Sequence, residues 1–185
     1  VTTEEAVPAD RPTTLYMTVL MTPDMANFSG NVHGGSLLKL LDQVAYACAS
    51  RYAGTYAVTL SVDRVLFRDA IHVGELVTFS ASVNYTGRTS MEIGIRVDTE
   101  TIRERTKRHT NSSYFTMVAV DESGRPVPVP PRPIDNDVDA RRFADAQKRR
   151  DALRAATEER HGVPPESETL PVARRHCRPE PLGEC

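Results

Sequence analysis

Between Asn27 and Ala49 the chain reads NFSGNVHGGSLLKLLDQVAYACA, a polar, glycine-rich loop that runs into an apolar helix. Two features of this stretch have the residue types for chemistry. The first is Gly34–Gly35, at the start of the helix. Glycines let a backbone or a ligand approach closely, and the first N–H groups of a helix lack internal acceptors and sit at its positive end. Such a terminus can hold an oxyanion. The second is Asp42. On a wheel of about 100° per residue, Leu37, Leu38, Leu41, Val44, Ala45 and Cys48 share one side, and Ser36, Lys39, Gln43, Ala47, Ser50 and Arg51 the other. Asp42 falls among Leu38, Ala45, Tyr46 and Ala49, where a carboxylate is costly unless it is hydrogen-bonded or lines a wet cavity.

Each feature also has a plain reading. The apolar arc can be narrower than the wheel suggests, with Asp42 at its edge, and Gly-Gly can be an ordinary loop and helix start. The spacing adds a constraint. Asp42 lies roughly two turns beyond the glycines, ~10 Å along the axis. That is too far for both to reach one small group on one helix, and suits two helices meeting across a dimer.

The elements that must position these residues follow from periodicity. Strands are expected at Thr14–Met21, Tyr56–Phe67, Glu75–Thr86, Met91–Ile102 and Arg108–Asp121, and the helix from about Gly34 to Tyr52 with Gly54 as its stop. One long helix and strands in turn-linked order imply an α+β fold, with the helix covered by an antiparallel sheet. Residues 1–12 are read as disordered, 13–125 as the folded domain, 126–136 as a proline-rich linker, 137–160 as a charged helix and 161–185 as a disordered tail. The charged helix has only a thin stripe of Phe143, Ala146 and Leu153, so loose packing is expected.

Bulk properties exclude other classes. Among 185 residues the formal net charge is −2, which gives no case for nucleic acid. No run approaches the ~20 apolar residues of a membrane span, and the acidic N-terminal residues do not read as a signal peptide. Cys48 reads as a small buried thiol, and Cys177 and Cys185 have no metal-type spacing. A cytoplasmic protein with reduced thiols is expected. The five histidines (33, 72, 109, 161 and 176) have no ligand spacing either, so no metal and no cofactor is expected.

With PDMANFSGNVHGGSLLKLLDQVAYACASRYAG, VDRVLFRDAIHVGELV, TGRTSMEIGIRV and TNSSYFTMVAVDESGRPVPVP in view, residues 12–130 resemble the acyl-CoA thioesterases of the hotdog fold. The similarity is to the group holding YciA-type short-chain acyl-CoA hydrolases and the cytosolic two-domain brain acyl-CoA hydrolase. It implies a catalytic pair of Asn27 (with Asn31 second) and Asp42, acting across a dimer, with acyl-CoA as substrate and partner. Gly34 and Gly35 become the oxyanion donors, and Asp42 a general base or a nucleophile. His33 fits the loop pattern. For the CoA end the resemblance implicates the turn Gly87, Arg88, Thr89 and Ser90 and the stretch Thr110, Asn111 and Ser112; a polar hairpin and an edge strand are the plainer readings. Arg64 and Arg68 read more simply as surface residues. Leu38, Tyr46, Val58 and Phe67 are candidates for an acyl tunnel. A homo-oligomer is implied, at least a dimer and by resemblance a hexamer built as a trimer of dimers. Two competing functions are a non-catalytic hotdog module that binds acyl-CoA and a hotdog hydratase or dehydratase using His33.

Overall fold

In a computed structural model the described residues are 11–63 and 65–161, the last five by backbone alone. Five strands form one sheet: β1 (Thr14–Leu20), β2 (Tyr56–Val62), β3 (Leu76–Thr86), β4 (Ser90–Thr101) and β5 (Thr106–Val120). Their order is β1-β3-β4-β5-β2, and every pair is antiparallel. The chain therefore leaves β1 at one edge and returns in β2 at the other. Helix α1 (Gly34–Ala53) makes that crossing and touches all five strands. Its 20 residues span about 30 Å, enough for the roughly 20 Å width of five strands.

The helix is held at both ends. His33 is the N-cap, its Nδ1 accepting from Gly35 N–H at 2.8 Å. At the C-terminus Gly54 takes a left-handed φ of 73° and returns its N–H to Ser50 O at 2.9 Å. Arg11 donates to the free carbonyls of Tyr52 and Ala53, at 2.7 and 3.1 Å, where a cation also suits the helix dipole.

Leu37, Leu41, Val44, Ala45, Cys48, Ala49 and Tyr52 face the sheet. They meet Val77, Phe79, Ala81 and Val83 of β3, Ile93, Ile95 and Val97 of β4, and Phe115, Met117 and Ala119 of β5 in one core. The period of two expected from the sequence appears in all three strands. The expected strand to Phe67 ends instead at Val62. A bulge falls at Thr59/Ser61, and past Val62, Asp63 N–H to Tyr114 O (2.9 Å) and Arg68 N–H to Thr110 O (3.2 Å) tie the described segment to β5. The chain then turns away, so His72 can pair with Asn31.

The far face of the sheet carries α2 (Asp137–His161). It is docked more firmly than its composition suggests. Arg149 makes two bonds to Glu92, 2.6 and 3.0 Å long, and lies over the Tyr114 ring at 3.7 Å. Phe143 packs on Tyr85, and Ala146 is fully buried. Residues 126–136 are also tied down. Val127 and Val129 donate to Ala119 O and Arg88 O, each at 2.9 Å. Buried Arg132 donates to Val83 O and Pro133 O and pairs with Asp139 at 2.7 Å. Charged side chains docked α2 because their partners lie on the sheet, outside any helical period.

Cys48 is buried in the core, and burial pushes its thiol up to about 12. With Cys177 and Cys185 replaced by serine, Cys48 is expected to resist a disulfide reagent at pH 8 in the native protein and to react at once in denaturant. Prompt native reaction would show that α1 does not seat as described.

Candidate functional site

Asp42 does not lie in the core. It sits with Leu38 and Tyr46 on a second row of α1, at i, i+4 and i+8, and all three are exposed in the single chain. The apolar arc that faces the sheet is thus narrower than the wheel suggests, and Asp42 lies beside it. Its placement is nevertheless specific. Thr59 Oγ1, on the neighbouring strand β2, donates to Asp42 Oδ1 at 2.6 Å. Among the described residues Oδ2 has no partner, so one oxygen is anchored and the other is available. Thr59 is a partner of Asp42 that the sequence did not reveal. Within YAVTLSV it looks like any strand threonine, and only the packing of α1 on β2 brings it to the carboxylate.

Around Asp42 the surface is apolar. Leu38, Tyr46, Tyr56, Leu60, Val62, Leu66 and Phe67 are all exposed, and the rings of Tyr46 and Tyr56 meet at 5.3 Å. These residues come from α1, from β2 and from the segment just beyond it. Of the expected tunnel residues, Leu38, Tyr46 and Phe67 share this face, and Val58 is half-buried on β2. An edge strand with unpaired backbone groups and a large apolar face is a surface that a second chain can cover.

The loop before α1 fixes Asn27. Its Oδ1 accepts from Ser29 N–H (2.9 Å) and Asn31 N–H (3.1 Å). Its backbone N–H donates to Asn31 O at 2.7 Å, and Gly30, with φ 78°, returns its N–H to Asn27 O at 3.0 Å. The carboxamide oxygen is held inside the loop, and the Nδ2 group has no partner among the described residues. Asn31, the second candidate, has its Oδ1 engaged by His72 Nδ1 at 2.9 Å.

At the helix start a Cβ on Gly34 would touch the Phe67 ring at 3.7 Å, ordinary contact. The N–H of Gly35 is not free, because His33 Nδ1 accepts it. Of the two expected oxyanion donors, Gly34 remains. His33 is a capping residue, and within one chain it has no carboxylate partner among the described residues.

The residues expected at the CoA end divide. Gly87, Arg88, Thr89 and Ser90 form the β3–β4 turn, closed by Gly87 N–H to Ser90 O at 2.7 Å. Thr89 and Ser90 are buried there, and Arg88 is exposed. Ser90 pairs with Val118, and Asn111 with Val97, so the two stretches lie about 20 Å apart along β5 within one chain. Thr110 is buried with its hydroxyl on Thr99 (3.0 Å) and Val97 O (3.3 Å). Asn111 is buried with its Oδ1 unpartnered among the described residues. Ser112 points to the other face, into a cavity of about 410 Å³ between the sheet and α2 that Arg96, Arg141, Arg142 and Arg149 also line. Arg64 lies outside the described residues, and Arg68 is exposed. No helix among the described residues is long and apolar enough to cross a membrane.

These features define a class: a long helix lying on a five-stranded antiparallel sheet, a held carboxylate midway along it, and a carboxamide in the loop before it. Residues 29–106 match the family model for the thioesterase superfamily. The chain is 52% identical over 143 residues to protein VdlD of Helicobacter pylori, covering 77% of this chain and 81% of that one. Among solved structures, an apo-hexameric acyl-CoA thioesterase superposes with a TM-score of 0.75 at 33% identity, over 78% of this chain and 93% of that one. An acyl-CoA hydrolase from Staphylococcus aureus, in complex with butyryl coenzyme A and coenzyme A, gives 0.72 at 28% identity, over 80% and 92%. That hydrolase was also solved as variants replacing an aspartate, an asparagine and a threonine by alanine. The chain belongs to the thioesterase superfamily, with the hotdog architecture.

Beneath the Asn27 loop lies an ion pair between buried Glu75 and half-buried Arg108. Glu75 is 5% exposed and accepts from Arg108 Nη1 (2.8 Å) and Nη2 (2.9 Å), from Thr101 Oγ1 (2.9 Å) and from His72 N–H (2.8 Å). The Arg108 hydrogen bonds outweigh burial and take the Glu75 carboxyl from an ordinary 4.5 down to about 2. A carboxylate so depressed stabilises the fold fully above the unfolded value, and its contribution fades as pH falls from about 4.5 through about 2. The shift corresponds to roughly 3 kcal/mol. Glu75→Gln is expected to lose about that much at pH 7. The gap to the parent protein should close over the same acid range, read by urea unfolding across pH. A gap independent of pH would remove the ion pair as the cause.

Proposed function

We propose that the protein hydrolyses acyl-CoA thioesters to a free fatty acid and coenzyme A, at a site shared by two copies of the chain. The observation that carries this reading is Asp42: a carboxylate anchored through one oxygen by Thr59, with the other open, on an apolar face. In one chain the Gly34 N–H and Asp42 are ~10 Å apart along α1. A second chain lying on that face brings the loop of one copy to the helix of the other.

The chemistry needs little else. Asp42 takes a proton from water as the water attacks the thioester carbonyl, or attacks the carbonyl itself to form an anhydride that water then opens. The oxyanion that develops is met by Gly34 N–H at the positive end of α1 and by the Nδ2 group of Asn27. Collapse expels the thiolate of coenzyme A. A thiol ionises near pH 8.5, so it leaves without a strong acid, and no cofactor is required. Thr59 fixes which oxygen of Asp42 faces the carbonyl. The aspartate, asparagine and threonine replaced in the Staphylococcus aureus hydrolase are the same three residue types. At the CoA end, Arg88 and Ser112 are the accessible candidates, with the arginines beside Ser112 as phosphate partners. The assembly is a homo-oligomer built from such dimers, hexameric as in the apo-hexameric relative. The cellular site is the cytoplasm.

Thiol release from a panel of acyl-CoAs, acetyl to palmitoyl, tests the reading. Turnover is expected on part of the panel, falling about 10³-fold in Asp42→Ala and Asn27→Ala and about tenfold in Thr59→Val. An intact oligomer that binds acyl-CoA but turns over none of the panel would favour a binding module instead.

Leu60→Glu places a charge on the apolar edge of β2. It is expected to give a folded monomer by light scattering and to lose activity together with assembly. An active monomer would refute the shared site.

A further inference from the structure

The loop that presents Asn27 holds itself only in part. Asn27 Oδ1 takes the Asn31 N–H, and Asn27 N–H gives to Asn31 O, so the pose of Asn27 depends on where Asn31 is. Asn31 in turn pairs with His72, as an isolated bridge in the backbone and through Asn31 Oδ1 to His72 Nδ1 at 2.9 Å. The backbone N–H of His72 is held by Glu75 Oε2 at 2.8 Å, and Glu75 is locked by Arg108 and Thr101. Arg108 also donates to Ala70 O at 2.8 Å, closing the turn that carries His72. These bonds form one continuous series from the Glu75–Arg108 ion pair at the end of the sheet to an exposed loop.

From this geometry we propose that His72 is a positioning residue for the thioesterase reaction: its imidazole holds Asn31, and through Asn31 it sets the direction of the Asn27 Nδ2 donor. The inference rests on the reading of Asn27 as a donor to the substrate. His72 itself is exposed and 45 residues away from Asn27 in sequence (72 − 27), and touches no part of the reacting group. A loop donor displaced by about 1 Å costs up to 10²-fold in rate without a change in ground-state binding. His72 therefore affects kcat. Glu75 holds the backbone of His72, so replacing the imidazole removes the side-chain link and leaves the turn in place.

The test uses the full chain and steady-state hydrolysis of the acyl-CoA that turns over best. His72→Ala is expected to lower kcat about tenfold, with KM within about twofold, and to leave Tm within about 2 °C. His72→Asn should recover most of the loss, because its carboxamide nitrogen hangs from Cγ as the imidazole Nδ1 does. Asn31→Ala should resemble His72→Ala, and the double variant should be no worse than the poorer single, as expected for residues in one series. Four results would overturn the proposal: an unchanged kcat in His72→Ala, a loss confined to KM, no recovery in His72→Asn, or additive losses in the double variant. Asn27→Ala is the control. Normal turnover in that variant would instead sink the role of Asn27, and with it any relay that ends there.

Discussion

The crossing of α1 from one edge of the sheet to the other constrains everything else in the molecule. A single helix must join β1 to β2 across three intervening strands, so it lies over the whole sheet and buries one row of side chains. The adjacent row, Leu38, Asp42 and Tyr46, stays outside the core and meets the sheet at its edge strand, Asp42 through Thr59 and Tyr46 through Tyr56. It lies next to β2, whose outer backbone edge has no strand partner among the described residues. The same topology thus places a carboxylate, an apolar surface and an open sheet edge together. Burial of that apolar surface by a second chain would supply a driving force for association, and the proposed site lies on the same surface.

The two halves of the proposed site are held by different physics. Asp42 is fixed by a helix seated on a core and by one short hydrogen bond from Thr59. Asn27 lies in a loop that reaches the core only through Met25 and Val32, and its remaining precision comes from hydrogen bonds to something rigid. Glu75 and Arg108 serve that purpose. Glu75 is buried at the end of the sheet, where low local dielectric strengthens its pairing with the half-buried Arg108 and makes an unpaired carboxylate costly. The loop is tied to the sheet through the turn that carries His72.

Helix α2 shows a related principle on the far face. Its composition offers little to bury, and it is seated through Arg149 on Glu92 and Tyr114, with Arg132 holding the strap that leads into it. The resulting cavity is lined by arginines. Apolar periodicity built the front of the domain, and ion pairs built the back.

The sequence by itself determined the secondary structure and the identity of the catalytic candidates. Alternation in VTFSASV and MEIGIRV, and the apolar row of GGSLLKLLDQVAYACA, are local patterns that the backbone must honour in any fold it adopts. Asp42 and the Gly-Gly helix start were legible as types and spacings, and the resemblance added Asn27 and joined the three. The tertiary structure decided what faces what. Of the two readings open for Asp42 it chose the edge of the apolar arc, on an exposed row, gave it Thr59, and placed His33 on the Gly35 N–H. It drew Thr110 and Asn111 inside the sheet, and it separated them from the Arg88 turn within one chain. Thr59, His72, Glu75 and Arg108 could not be found in the sequence, because each matters through a partner 17 to 41 residues distant. Such pairings are fixed by strand order and register, and no local pattern encodes them.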